Sequence, residues 1–516
     1  MLSRELNARP KVFLRTATGL TKNVSLFDAI SINVTYMSVG AALSLVGYTM
    51  LALPTVNGVN LVLGSMIAAL LALPQMVVYT MMSRRISRTG GDYVWMSRSL
   101  GGYLGSTITL MGVTLETMPY LALIALSAVF AIGSVGLSLG FSNMVGLALP
   151  GTVPGANPFG QFVVGSALVV VLIAVNILKP RVGFKLISAF YVIGLIGVAT
   201  AIITLMIAGR AGVQNYINNL NIANITYDSL ANSYTGPTFS LNATLVTMPY
   251  FALFTYPWFN AAPSVGSELK GRASAWNVPV SLLAAFLVVT IPYATMYYVG
   301  GFAFTTAALS NPTLVNEVGF NFFTLAMGVS SNIVQSFVIG LGWVVLIVAI
   351  LAFGVITISR YMLAQSFDRF LPSRLAYVSK YGSPLIAHMV DLIVTVALIG
   401  LAAFLYGTLS SLYGAVMASM IYFAFVGSAA VTYGVKKERG GARTTLIVAG
   451  TLQTLVFLYL TYEFLAYPTI WGGNALAYGY IIATFVLGTL IYAYRKVESR
   501  TRSFNIDLAF KEIPPE

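Results

Sequence analysis

The sequence predicts an all-α polytopic membrane protein with 12 transmembrane helices. Three observations lead there. Hydrophobic residues make up 58% of the chain and charged residues only 8%, against about 25% charged in soluble domains. The apolar residues fall in runs of about 20, the length that crosses a hydrocarbon core. Laid out as twelve spans, these runs leave 27 of the 28 Lys and Arg residues on one side, all but Arg210. A wrong span count would scatter the charges over both sides. Loops rich in Lys and Arg stay in the cytoplasm. Both termini are therefore expected inside, in a multi-pass protein of the cell membrane.

The net charge of +13 does not point to nucleic acid, because the charges form short clusters between apolar runs. Such clusters orient the chain and attract anionic lipid headgroups, so membrane lipids are the expected large partner. Cysteine is absent, which excludes disulfide scaffolds, thiolate metal sites, thiol nucleophiles and a disulfide-linked subunit. The first 26 residues are polar and basic, with no apolar core or small-residue cleavage site, so the first span is expected to be uncleaved. The chain holds no Walker or dinucleotide motif and has no room for a soluble domain. Neither enzyme activity nor a cofactor is expected.

The spans follow in order. Residues 1–26 form an inner tail. Spans 1 and 2 cover about 27–51 and 59–82. An inner loop, 83–102, carries Arg84, Arg85, Arg88 and Arg98. Span 3 starts near Tyr103 and reaches toward Leu137. An uncharged loop with Pro150, Pro154 and Pro158 leads to span 4, about 161–178. The turn Lys179-Pro180-Arg181 leads to span 5, about 184–208. An Asn-rich outer loop, 209–243, holds two glycosylation sequons, at Asn224 and Asn242. Spans 6, 7 and 8 cover about 245–266, 280–302 and 333–359. Spans 9 and 10 cover about 385–405 and 409–435. Spans 11 and 12 cover about 444–466 and 475–494, and residues 495–516 form a basic inner tail.

Two spans look interrupted. Span 1 holds Ser38-Val39-Gly40-Ala41-Ala42 at mid-depth, small residues that also suit close helix packing. Span 6 holds Thr255-Tyr256-Pro257-Trp258-Phe259-Asn260-Ala261-Ala262-Pro263. Its two prolines remove two backbone donors and clash with upstream carbonyls, giving either a kink or a discontinuous helix. Irregular backbone is tolerated at membrane depth where it lines a cavity. Spans 1 and 6 lie five apart, and paired interruptions at corresponding positions of two halves mark the binding site of inverted-repeat transporters.

Three stretches then resemble the amino acid–polyamine–organocation superfamily of permeases. Gly90-Gly91-Asp92-Tyr93, followed by Arg98 and Gly101, is similar to its loop into helix 3. Phe254–Lys270, ending Glu268-Leu269-Lys270, is similar to its helix 6. Ser359-Arg360 followed by Asp368-Arg369-Phe370-Leu371-Pro372 is similar to its loop after helix 8. The resemblance covers helices 1 to 10. It implies a five-plus-five inverted repeat, 27–208 and 244–435, with two extra helices over 444–494, and secondary transport of amino acids or related amines. The chain departs from the family's pattern in three places. Ser38-Val39-Gly40 stands where Gly-Ser-Gly is frequent, Trp258 stands where Gly is frequent, and 192–199 lacks the Lys found in many proton-coupled members.

A zwitterionic substrate must find a partner for each charge as it leaves water. Backbone N–H groups at Ser38, Val39, Gly40, Ala41 and Ala42 suit the carboxylate, with Gly40 permitting close approach. Carbonyls of Phe254, Thr255 and Tyr256, freed ahead of Pro257, suit the ammonium. By resemblance, the Phe254 ring is an aromatic gate over the substrate. Glu116 falls near mid-bilayer in span 3, where a carboxylate is costly. It is a counter-ion for a cationic substrate, a proton carrier, or a protonated acid bonded to a neighbouring carbonyl. Thr357 and Ser359 end span 8, either as Na⁺ ligands or with hydroxyls bonded back to the preceding turn. H⁺ and Na⁺ both remain open as coupling ions. His388 and Asp391 share one face of span 9, as a hydrogen-bonded pair or a proton relay. Asp28 and Glu463 read as interfacial. The chain is expected as a monomer or homodimer. A membrane sensor that keeps the pocket without transporting is the alternative function.

Overall fold

A computed structural model describes residues 17–53, 57–149, 154–405, 413–501 and 505–515. The start of the inner tail, Pro150 and the expected start of span 10 at Leu409 lie outside the described residues. Among those residues the regular structure is helical, with isolated bridges in place of strands. Among the described residues, eleven helices are long and apolar enough to cross a membrane. The expected sixth span is instead divided into Leu241–Val246, Met248–Phe254 and Ala261–Ser264.

Polar residues set the helix starts. Asn60, Asn157 and Asn332 each accept a backbone N–H of the first turn, which satisfies a donor that has no intrahelical partner. Ser25 and Asp28 form a reciprocal capping box. Asp28 was expected at the interface. It is fully buried and also takes Lys185 Nζ at 2.9 Å and Ser188 Oγ at 2.7 Å. Pro158 and Pro180 open their helices, where a missing N–H removes no bond.

Several boundaries differ from the sequence reading. The fifth helix runs Pro180–Asn219, past the expected end at 208, bending at Gly209 (φ 58°). The expected loop 209–243 therefore starts as helix and contains another, Tyr227–Ser233. The eighth helix runs Ile333–Phe367, so Arg360 is a buried helical residue and not a loop charge. Hydropathy alone ends a span at the first charge, whereas a partner allows the helix to continue. This helix is the centre of the bundle, 89% buried over its most apolar stretch, while Ala475–Arg500 is 22% buried at the lipid-facing edge. The helix from Gly102 to Ser138 contains a π-helical turn at Leu110–Leu115, immediately before Glu116. Such turns are frequent at functional positions.

Candidate functional site: two broken helices above a closed gate

The first span breaks at Met37 and Ser38. Its inner half, Leu26–Tyr36, ends there, and a new helix starts at Val39. Ser38 has φ 58° and ψ 33°, a left-handed conformation that a non-glycine residue adopts only under constraint. The break is thus shorter than the expected Ser38–Ala42, and Val39, Gly40, Ala41 and Ala42 form the first turn of the outer half. Ala42 O is an anchor, accepting from Tyr250 Oη and, at 2.6 Å, from Tyr293 Oη. Gly40 faces the central helix. A Cβ built there would lie 2.7 Å from Leu346 Cβ, so its hydrogen serves helix packing.

The sixth span breaks at Thr255 (φ −147°, ψ −88°). Trp258 folds back into the gap. Its indole N–H donates to Leu253 O at 2.9 Å and to Ala252 O at 3.1 Å, satisfying carbonyls that the helix end leaves open. Pro257 O accepts from Gln75 Nε2 at 2.7 Å. The Tyr256 hydroxyl shares a 2.5 Å hydrogen bond with Ser65, and Thr255 Oγ1 is buried without a partner among the described residues. The Trp258 ring stacks on Tyr120 with centroids 5.9 Å apart and meets Tyr36 edge-on at 5.7 Å. Tyr120 Oη and Ser38 Oγ share a 2.9 Å hydrogen bond. Trp258 and Tyr120 therefore join the two breaks. Neither was assigned from sequence, although Trp258 stood out as the bulky residue among the span 6 prolines.

Above this pair lies a cavity of about 300 Å³. Tyr120 and Phe254 line it, with Leu45, Tyr48, Ser127 and Ile470. It is walled by Tyr48, Thr49 and Ala52 at the far end of span 1 and by Thr469, Ile470 and Gly472 between spans 11 and 12, away from the loops that carry Arg98 and Asp368. Glu116 lies one helical turn before Tyr120 but does not line the cavity. It is buried, with Oε2 accepting from Ser419 Oγ at 2.9 Å and Oε1 unpartnered among the described residues.

The other end is closed by the three stretches that carry the family resemblance. Arg360 forms a bidentate pair with Glu268, Nε to Oε1 at 2.9 Å and Nη2 to Oε2 at 3.2 Å. Arg98 forms another with Asp368, Nη2 to Oδ1 at 2.6 Å and Nη1 to Oδ2. Gly90 N–H donates to Ser264 O at 2.9 Å. Gly91 (φ 40°) lies so close to Pro263 that a Cβ would sit 2.6 Å from its carbonyl oxygen, so only glycine fits there. Asp92 accepts from Tyr79 Oη at 2.5 Å and from Tyr361 Oη. Burial pushes its carboxyl up to about 6. Tyr361 Oη accepts in turn from Asn260 Nδ2 at 3.2 Å, which links this cluster to the sixth-span break. Asn33 Oδ1 accepts from Ala262 N–H at 2.8 Å and joins the two inner half-helices.

The hydroxyls of Thr357 and Ser359 bond back to Phe353 O at 3.1 Å and Ile356 O at 2.7 Å. Ser359 Oγ also accepts from Arg360 Nη1 at 3.1 Å, a cation already in place. His388 Nε2 lies 3.5 Å from Arg360 Nη1, whereas Asp391 accepts from Thr395. The two do not pair with each other.

The model of the amino acid permease family matches residues 25–492. The chain belongs to that family, within the amino acid–polyamine–organocation superfamily. It is a multi-pass membrane transporter protein and not an enzyme. No curated protein matches it. The permease family match spans both breaks, the cavity and the closed gate.

Proposed function

We propose that this permease is a secondary active transporter of amino acids or related amines that works by alternating access. In this reading the substrate sits between the breaks of spans 1 and 6, in a bundle of 12 helices built as a five-plus-five inverted repeat with two extra helices. The observation that carries it is the meeting of the two breaks at Ser38, Tyr120 and Trp258. The substrate carboxylate takes the first-turn N–H groups after Ser38. The ammonium takes carbonyls at Thr255 and Tyr256, with Phe254 as the lid beneath the cavity.

The cavity at one end and the ion pairs at the other make this an outward-facing arrangement if the basic end is cytoplasmic, as the Lys and Arg distribution favours. Arg360 on Ser359 Oγ argues against Na⁺ at that position and favours proton coupling or exchange. Glu116, one turn before Tyr120 and with one carboxylate oxygen unpartnered among the described residues, is read as a counter-ion or proton carrier near the substrate. Uptake into proteoliposomes over an amino acid panel, with Na⁺ and pH gradients varied separately, tests the reading. Binding without uptake would identify a sensor.

A further inference from the structure

At the basic end a second cavity, of about 500 Å³, opens between the Lys179-Pro180-Arg181 turn and the segment after the central helix. Lys179, Arg181 and Lys380 line it and are exposed. Among the described residues their side chains have no carboxylate partner, and Lys380 meets only the Tyr381 ring at 5.2 Å. The one carboxylate on the wall, Glu268, is held by Arg360. Among the described residues, three cations thus line a cavity whose carboxylate is already neutralised by Arg360. The same wall carries Leu178 and Val182, apolar side chains about half exposed, at the ends of two spanning helices. Cations and exposed apolar side chains on one wall match a phosphate with acyl chains attached better than a free anion.

We propose that this cavity binds the phosphate headgroup of an anionic lipid. Lys179, Arg181 and Lys380 hold the phosphate, and Leu178 and Val182 pack against the upper acyl chain. Basic pockets between spanning helices suit such headgroups.

The test is thermal unfolding of the full-length protein in detergent with added phosphatidylglycerol, phosphatidylcholine or inorganic phosphate. Phosphatidylglycerol is expected to raise the midpoint well above phosphatidylcholine, with a gain that shrinks as salt rises. Inorganic phosphate is expected to have no effect. The triple variant Lys179→Gln, Arg181→Gln, Lys380→Gln should bind phosphatidylglycerol roughly 100-fold more weakly. A control variant, Lys436→Gln with Lys437→Gln, should keep the full gain. If the triple variant fails to fold, Arg181→Gln alone should weaken binding several-fold. An unchanged gain in the cavity variants, an equal loss in the control, or an equal gain from inorganic phosphate overturns the proposal.

Discussion

Arg360 and Glu268 form a bidentate ion pair with both side chains almost wholly buried. The pair joins the central helix to the exit of the broken sixth span. Truncating one partner of a buried pair leaves an uncompensated charge, at a cost of roughly 3–5 kcal/mol. Glu268→Gln is therefore expected to lower thermal stability strongly and to open the gate. On this Cys-free chain, a Ser264→Cys reporter should become more reactive to a thiol reagent applied from the basic end. Unchanged reactivity would mean that the pair does not hold the gate.

Gly40 tests how the outer half of span 1 is packed. A Cβ on Gly40 would meet Leu346 Cβ at only 2.7 Å, so overpacking by Gly40→Val should cost roughly 1–3 kcal/mol. The loss should appear in the melting profile of substrate-free protein, and Leu346→Ala in the same chain should recover part of it. A variant of normal stability that no longer binds substrate would show that Gly40 faces the ligand.

Glu116→Gln keeps shape and hydrogen bonding to Ser419 while removing titration. Selective loss of cationic substrates is the expected outcome for a counter-ion, and a flattened pH dependence is expected for a proton carrier. Uptake with an unchanged substrate profile and pH dependence would make the residue structural.

Asp92 predicts a pH signature outside the spans. Burial raises its carboxyl from 3.8 to about 6, so the folded state prefers the protonated form. This group's contribution to stability is complete below about pH 3.8 and is lost as pH rises to about 6. The size is on the order of 3 kcal/mol. Asp92→Asn should flatten the fall in melting temperature across that window. Parallel profiles for the variant and the wild type would show that Asp92 does not titrate there.

Much of the architecture was legible because hydropathy and charge act over whole spans. The two breaks were legible from Pro257, Pro263 and the small residues after Ser38. Their details were not. Nothing local in the sequence forces Ser38 into a left-handed conformation, and its hydroxyl bonds Tyr120 from another helix. The folding back of Trp258 onto Ala252 and Leu253 is likewise a response to open carbonyls. The gate residues were legible only as a resemblance. Their pairing crosses long stretches of chain, from Glu268 to Arg360 and from Arg98 to Asp368. The extension of the central helix to Phe367 follows from that same pairing, because Arg360 is buried only with Glu268 beside it.

The most direct test of alternating access around the two breaks uses paired Cys reporters in separate chains. Ser127→Cys reports on the cavity lined by Tyr120 and Phe254, and Ser264→Cys reports on the closed gate. In proteoliposomes, a saturating transported amino acid should change their thiol reactivity in opposite directions, each from its own side of the membrane. Two sites that open together, or that both ignore every transported substrate, would contradict the account.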